Sequence, residues 1–422
     1  MIYISAFKNK HTVIATGHCD SYFPGSNKIS IARIFYENKG RLLYDFELAR
    51  KGLRSSVMKA INLFILCFLH DLGHSLYECP NCENFTFVWH TCKSRFCTSC
   101  GMKYQKIRSA AVMDKVFDCP HRHGVFTVPD PLREYFLKDR SLLNELFGAV
   151  NDTLSFVIRK AGTKKDELIP CAVLTLHTFG RGLNWIPHIH VLLAEGGVRK
   201  DGSFKRLKHI NYESLRRSFQ RSLLDRLSEK IDTIEFKQLK RKLYKDYSKG
   251  FYAYCPPSEH KNLKDCIEYV TRYVGRPVMA QSRIIDYNFD MDHVIWWYED
   301  HETKEYVEVY DSILAFMKKL IRHIPDEHFK MVRYIGGYAT KKKKLTKMIK
   351  KMVSCKYSGL AKKNYAHRQY LIDTFRIDPL LCKCGHEMQF VEAFFPGGLE
   401  EQINETWKFY DWRSVCDPYG VY

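Results

Sequence analysis

Trp185-Ile186-Pro187-His188-Ile189-His190-Val191-Leu192-Leu193 sets two histidines around one apolar residue and runs on into an apolar stretch. In a β-strand, side chains at i and i+2 share a face. His188 and His190 are therefore expected to project together from a sheet and offer two imidazoles to one metal ion, with Ile189 and Val191 turned into a core. Two half-exposed histidines on an edge strand would give the same pattern. A second stretch adds weight to the metal reading: Cys266-Ile267-Glu268-Tyr269-Val270-Thr271-Arg272-Tyr273, within a helical pattern over 263–274 that Gly275-Arg276-Pro277 ends. Spacing of four puts both tyrosine hydroxyls on one helix face. Such a pair is often simple packing, but Arg272 and Arg276 beside it would stabilise a phenolate and bind a phosphate. A metal site with a tyrosine pair points to phosphodiester chemistry.

Upstream of the strand bearing His188 and His190, 123–129 alternates as a strand and ends at Pro129, and 169–178 reads as a buried strand from which Thr175 and His177 alternate outward. The stretch 131–161 reads as helix, with Leu142, Leu143, Leu146 and Val150 on one side. These elements predict an α+β fold, an antiparallel sheet flanked by helices. The stretch 282–309, with Trp296-Trp297-Tyr298, reads as an extension of that sheet, and 314–329 as a further helix.

Upstream lies a cysteine-rich block, after a helical pattern at 55–69. Cys79-Pro80-Asn81-Cys82 and Cys97-Thr98-Ser99-Cys100 are two Cys-x-x-Cys knuckles, each supplying two thiolates from one tight turn. Their spacing predicts one structural zinc held by Cys79, Cys82, Cys97 and Cys100. Cys67, His74, His90 and Cys92 remain as ligands for a possible second zinc. Lys93, Arg95, Lys103, Lys106 and Arg108 crowd the block, which suits either a DNA-contacting finger, with Arg95 and Lys103 as its candidates, or a solvated face. Near the end, Cys382-Lys383-Cys384-Gly385-His386 reads as a partial knuckle that cannot close a tetrahedral site alone.

Length and charge bound the partners. At 422 residues the chain is long enough for two or three domains. A formal charge of +20 favours a polyanion, nucleic acid first and an anionic membrane surface second. No apolar run approaches the roughly 20 residues that span a bilayer. The first residues lack a signal-peptide pattern, and paired cysteines without one suggest metal thiolates in a reducing cytoplasm rather than a disulfide framework. Basic runs at 211–248 and at Lys341–Lys351 are either solvated faces or contacts to a DNA backbone. The expected division is an unassigned arm (1–54), a zinc-binding domain (55–115), a catalytic domain (116–310) with a basic helical insertion at about 205–250, and a basic C-terminal region (311–422).

Taken in order, these motifs resemble the rolling-circle insertion-sequence transposases of the two-tyrosine HUH class, most nearly insertion-sequence family ninety-one. The resemblance spans about 60–390. It rests on the zinc block ending at Cys97-Thr98-Ser99-Cys100-Gly101, the strand 121–129, the His188-Ile189-His190 motif and the Tyr269–Tyr273 helix, with Arg333-Tyr334-Ile335-Gly336-Gly337-Tyr338 as a late companion.

The resemblance implies an HUH-type five-stranded antiparallel sheet with the histidines on a central strand. It also implies a Mg²⁺ or Mn²⁺ ion at His188 and His190, and attack by Tyr269 or Tyr273 on single-stranded transposon ends to leave a 5′-phosphotyrosine. A bacterial, nucleoid-associated location follows from the same source. Residues 1–50 match nothing in the family, and the third metal ligand stays open among Glu268, Asp265 and His177. The competing readings are a replication-initiator or relaxase-type nickase and a non-catalytic zinc-finger DNA-binding protein.

Overall fold

The computed structural model describes residues 13–14, 29–49, 52–67, 72–113, 115–162, 167–207, 209–257, 277–300, 302–339, 372, 378 and 380–395. Its elements begin with β1 (Val13–Ile14), α1 (Ile31–Leu48), α2 (Ser55–Ile65), β2 (His74–Glu78), β3 (Phe85–Trp89) and α3 (Thr98–Met113). Next come β4 (His121–Thr127), α4 (Asp130–Lys138), α5 (Leu143–Lys160), β5 (Ile169–Phe179), β6 (Trp185–Val198) and β7 (Phe204–Arg206). Then follow α6 (Tyr212–Ile231), α7 (Ile234–Asp246), β8 (Ala253–Tyr254), β9 (Ile284–Asn288), β10 (His293–Glu299) and β11 (Tyr306–Asp311). The last are α8 (Ile313–Ile321), β12 (Val332–Gly336) and β13 (Gln389–Phe394). The fold is α+β with antiparallel sheets, as expected.

The chain forms two units. One comprises Gln105–Arg276 and Pro325–Lys363; the other comprises Met1–Tyr104, Pro277–Ile324 and Asn364–Tyr422. Pro277–Ile324 groups with the cysteine-rich residues.

The first unit is built on a sheet of order β12-β5-β6-β4-β8, with β7 pairing on β6. β6 lies at its middle. Alternation gives the sheet two faces. Phe126, Leu174, Leu176, Ile189, Val191 and Leu193 are buried against apolar residues of α4, α5 and α6, including Phe136, Leu146, Val150, Phe219 and Leu223. Each such side chain contributes roughly 1.5–3 kcal/mol of burial. The expected helix at 131–161 is two helices separated by a 3₁₀ turn at Arg140–Leu142. The basic stretch at 211–248 is likewise two. Asn211 caps α6 by accepting from the Ser214 N–H, Asp232 breaks the chain at φ +29°, and Thr233 caps α7 by accepting from the Phe236 N–H. α6 is therefore core structure on one face, and several of the basic residues on these helices are ion-paired, as in Arg226 with Asp152 and Glu145, and Lys240 with Asp225.

At the β12 edge, Gly336 has φ +59°, and a Cβ there would collide with the Pro170 carbonyl. Gly337 N–H donates to that carbonyl at 3.0 Å. The turn brings the Tyr338 hydroxyl 2.6 Å from His121 Nε2, so the late Gly-Gly-Tyr motif closes onto the first residue of β4.

In the other unit, α1 lies in the stretch 1–54 that carried no assignment, and it follows from a local signal. Ser30 Oγ accepts from Arg33 N–H as the cap, and Ile31, Ile34, Phe35, Asn38 and Leu42 recur at helical spacing as its buried face. Phe35, Phe64 and Phe96 pack edge to face at 5.1–6.1 Å. The Trp296 region is not an extension of the first sheet. It forms its own three-stranded sheet, β11-β10-β9, because β10 finds both antiparallel partners in its own hairpin neighbours. Trp296 is fully buried, donating from Nε1 to Asp311 Oδ2 at 2.8 Å. The expected helix at 314–329 stops at Ile321. A four-stranded sheet of order β1-β3-β2-β13 completes the described part of this unit.

Candidate metal centres and active site

On β6, His188 and His190 share the face opposite the helix-covered core, and antiparallel register places His177 of β5 directly across from His188. Ring centroids of the three lie 4.8–5.5 Å apart, and a nitrogen from each falls within 4.8 Å of the others. His177, the open candidate, therefore joins the pair.

His188 Nδ1 donates to Ile186 O at 2.7 Å, which leaves Nε2 with its lone pair toward His190 Nε2, 3.2 Å away. His190 Nδ1 meets His123 Nε2 at 2.8 Å with the rings stacked, so a fourth histidine backs the group. The period-2 place of His123 in β4 puts it on this face, a local signal present in the sequence although the residue is not among the expected ligands. Burial pushes His188 down to about 4, against a partial rise from the Ile186 carbonyl. Burial, then the neighbouring His177, His188 and His123, hold His190 well below the ordinary imidazole range. Both are neutral at pH 7, the form that binds a cation.

Three imidazoles suit a first-row transition-metal cation better than Mg²⁺, which prefers oxygen, and among the two expected ions Mn²⁺ accepts nitrogen ligands more readily. Among the described residues no carboxylate joins the group. Glu268 and Asp265 lie outside the described residues, as do Tyr269, Tyr273, Arg272 and Arg276, and so does the Lys341–Lys351 run.

The cysteines assort differently from the expectation. Cys97 and Cys100 join Cys67 and Cys92, whereas Cys79 and Cys82 join Cys382 and Cys384. The two Cys-x-x-Cys knuckles are not brought together, because they sit at opposite ends of β2 and β3: Cys79 and Cys82 lie in the connecting hairpin, Cys97 and Cys100 at the start of α3. His74 and His90 are in neither set. His74 packs among Phe87, Trp89 and Phe394, while His90 contacts Leu72 O through Nδ1 and Ser75 Oγ through Nε2. The possible second set of Cys67, His74, His90 and Cys92 is thus replaced.

In the first cluster the Cys67–Cys100 and Cys92–Cys100 sulfurs are 3.6 Å apart and the Cys67–Cys97 sulfurs 3.7 Å, with all four within 4.8 Å of one another. Four thiolates at the Zn–S distance of about 2.3 Å sit about 3.8 Å from one another on a tetrahedron, so the cluster fits zinc. Backbone N–H groups of Cys92 and Ser94 donate to Cys67 Sγ and Cys92 Sγ at 3.4 and 3.5 Å. Contacts with Cys67, Cys92 and Cys97 hold the Cys100 thiol far below its ordinary range, toward the thiolate a metal needs.

A family model described as "Transposase zinc-binding domain" matches residues 41–128, and one described as "Putative transposase" matches 171–345; together they span more than half of the chain. The chain belongs to the IS91 family of transposases. It is 29% identical over 306 residues to the "Transposase for insertion sequence element IS801" of Pseudomonas savastanoi pv. phaseolicola, covering 70% of this chain and 73% of that protein. It is 24% identical over 302 residues to the "Putative transposase y4qJ" of Sinorhizobium fredii (strain NBRC 101917 / NGR234), covering 66% and 73%. No solved structure matches.

In this transposase the zinc-binding match contains the complete Cys67–Cys100 cluster, so structural zinc belongs to the domain. The second match contains His177, His188 and His190 and extends past β12. Of the two DNA-contact candidates among the described residues, Arg95 is half-buried over the Tyr104 ring at 5.5 Å, and burial lowers Lys103. No helix among the described residues is long and apolar enough to cross a membrane.

Proposed function

We propose that this transposase nicks and rejoins single-stranded ends of its element by tyrosine attack on a phosphodiester, the chemistry of rolling-circle transposition. The observation that carries the reading is the convergence of His177, His188 and His190 on one face of the central strand. A divalent ion held there, Mn²⁺ better than Mg²⁺ by its donors, would supply Lewis-acid polarisation of the scissile phosphate. Tyr269 and Tyr273 are the nucleophiles of this reading. The phenolic oxygen forms a bond to phosphorus as the bond to the 3′-oxygen breaks. The phenol gives up its proton and the departing 3′-oxygen takes one up, leaving a 5′-phosphotyrosine and a free 3′-hydroxyl. The displaced bond's energy is kept in the link, so rejoining needs no nucleotide cofactor.

Arg272 and Arg276 would hold the phosphate and favour the phenolate. The surplus of +20 supports a nucleic-acid substrate, with Arg95 and Lys103 proposed at its backbone. A soluble, cytoplasmic setting near the nucleoid suits that substrate.

The test is nicking of labelled single-stranded element ends in Mn²⁺ by wild type, His188→Ala and His190→Ala. Each variant is expected to lose at least about 100-fold in nicking while DNA binding stays within a few fold. Undiminished nicking in both would remove the histidine centre from the reaction.

A further inference from the structure

The second cysteine set lies outside the matched zinc-binding region for half of its members, and its two halves are 300 residues apart in the chain. We propose that Cys79, Cys82, Cys382 and Cys384 bind a second structural zinc, which clasps the C-terminal strand β13 onto the cysteine-rich unit.

Each half is a tight turn that presents two sulfurs. In the first, Cys79 N–H donates to Asn84 O at 2.8 Å and Glu83 N–H to Cys79 O at 3.0 Å, with Glu83 in the left-handed region at φ +53°. In the second, Gly385 N–H donates to Cys382 O and Cys382 N–H to His386 O, both at 2.9 Å, and Gly385 has φ +86°. Sulfurs from opposite turns meet at 3.4 Å (Cys82–Cys382) and 3.5 Å (Cys79–Cys384 and Cys82–Cys384). That is near the edge of a thiolate tetrahedron around zinc and far longer than the roughly 2.05 Å of a disulfide. The Cys-x-Cys spacing of the second turn is thus sufficient, because the first turn supplies the missing pair.

The surroundings are built for closure. Behind the sulfurs, Cys79, Cys382 and Met388 are buried together against Tyr77, and Thr86 Oγ1 donates to Met388 Sδ at 3.0 Å. From there β13 runs antiparallel along β2, from Gln389 opposite Glu78 to Phe394 opposite His74. That hydrophobic contact is small, and every residue of β13 is exposed. A two-element pairing with so little buried area is marginal alone, and four metal–sulfur bonds at its base would supply the missing constraint. The site cannot close until the chain has been made as far as Cys384, so the clasp couples order in the N-terminal hairpin to the far end of the transposase.

Zinc content of the full-length protein, measured by elemental analysis and native mass spectrometry, tests this. Wild type is expected to hold two zinc ions per chain. Cys79→Ser/Cys82→Ser, Cys382→Ser/Cys384→Ser and the variant combining all four are each expected to hold one, because the two pairs share one ion. One ion in wild type, or two in Cys382→Ser/Cys384→Ser, would overturn the clasp, as would a four-fold variant with fewer ions than either double variant. X-ray absorption on wild type, which needs no substitution, is expected to show all-sulfur coordination. A nitrogen ligand at half of the zinc would overturn the four-cysteine assignment in favour of a histidine such as His386, whose Nδ1 lies 3.5 Å from Cys384 Sγ.

Discussion

His123 Nε2 and His190 Nδ1 lie 2.8 Å apart across the β4–β6 pair, with their rings stacked at 14°. For His190 to offer Nε2 to a cation, its Nδ1 must carry the proton and donate it to His123. His123 therefore selects the tautomer of its neighbour.

Removing that acceptor should weaken the metal centre without dismantling it. His123→Ala is expected to raise the Mn²⁺ concentration needed for half-maximal nicking by about 10–100-fold, with thermal stability nearly unchanged. A Mn²⁺ titration of nicking checks this; an unchanged half-point would mean that His123 does not orient His190.

His121 gives the protein an acid-sensitive joint. Burial pushes it down to about 4, with Cys119 O and Glu195 partly opposing. Neutral His121 uses Nδ1 to donate to Cys119 O at 2.7 Å and Nε2 to accept from the Tyr338 hydroxyl at 2.6 Å. The unfolded chain binds a proton near pH 6.5 and the folded chain only near 4. Stability is then fully present above about pH 6.5 and falls on acidification through that window, by on the order of 3 kcal/mol for this residue. Urea unfolding at pH 7.5 and 4.5 should show a smaller loss in His121→Asn than in wild type. Equal losses would assign the acid sensitivity to other groups.

Arg122 and Glu195 form an ion pair at 3.2 Å with side chains only 2% and 6% exposed, and Arg206 also reaches Glu195 at 3.2 Å. Deleting one partner of a buried pair leaves the other charge uncompensated. Glu195→Ala is expected to cost about 3–5 kcal/mol in urea unfolding at neutral pH, whereas Arg206→Ala, whose side chain is 54% exposed, should cost under about 1 kcal/mol. Similar effects from both would contradict the burial argument.

What the sequence discloses follows from the range of each signal. The strand carrying His188 and His190 was legible because alternation is local, and so were β4 and β5. Recruitment of His177 depended on register between strands, which no local pattern contains. The zinc knuckles announced themselves by spacing, but which two knuckles share an ion is a tertiary matter. Proximity in the chain paired Cys79-x-x-Cys82 with the wrong partner, and the fold pairs it with Cys382-x-Cys384. The strands around Trp296 were legible as strands, yet their pattern could not say to which sheet they belong.

The central claim is a covalent tyrosine intermediate, and its most direct test is isolation of the adduct. Full-length protein would be incubated with 5′-fluorescent and 3′-fluorescent single-stranded element ends in Mn²⁺, separated under denaturing conditions and digested for mass spectrometry. The account predicts that only the 3′-labelled fragment stays on the protein, linked at Tyr269 or Tyr273, and that Tyr269→Phe/Tyr273→Phe abolishes the adduct while still binding DNA. Metal-dependent nicking with no adduct, or an adduct that survives in the double variant, would contradict it.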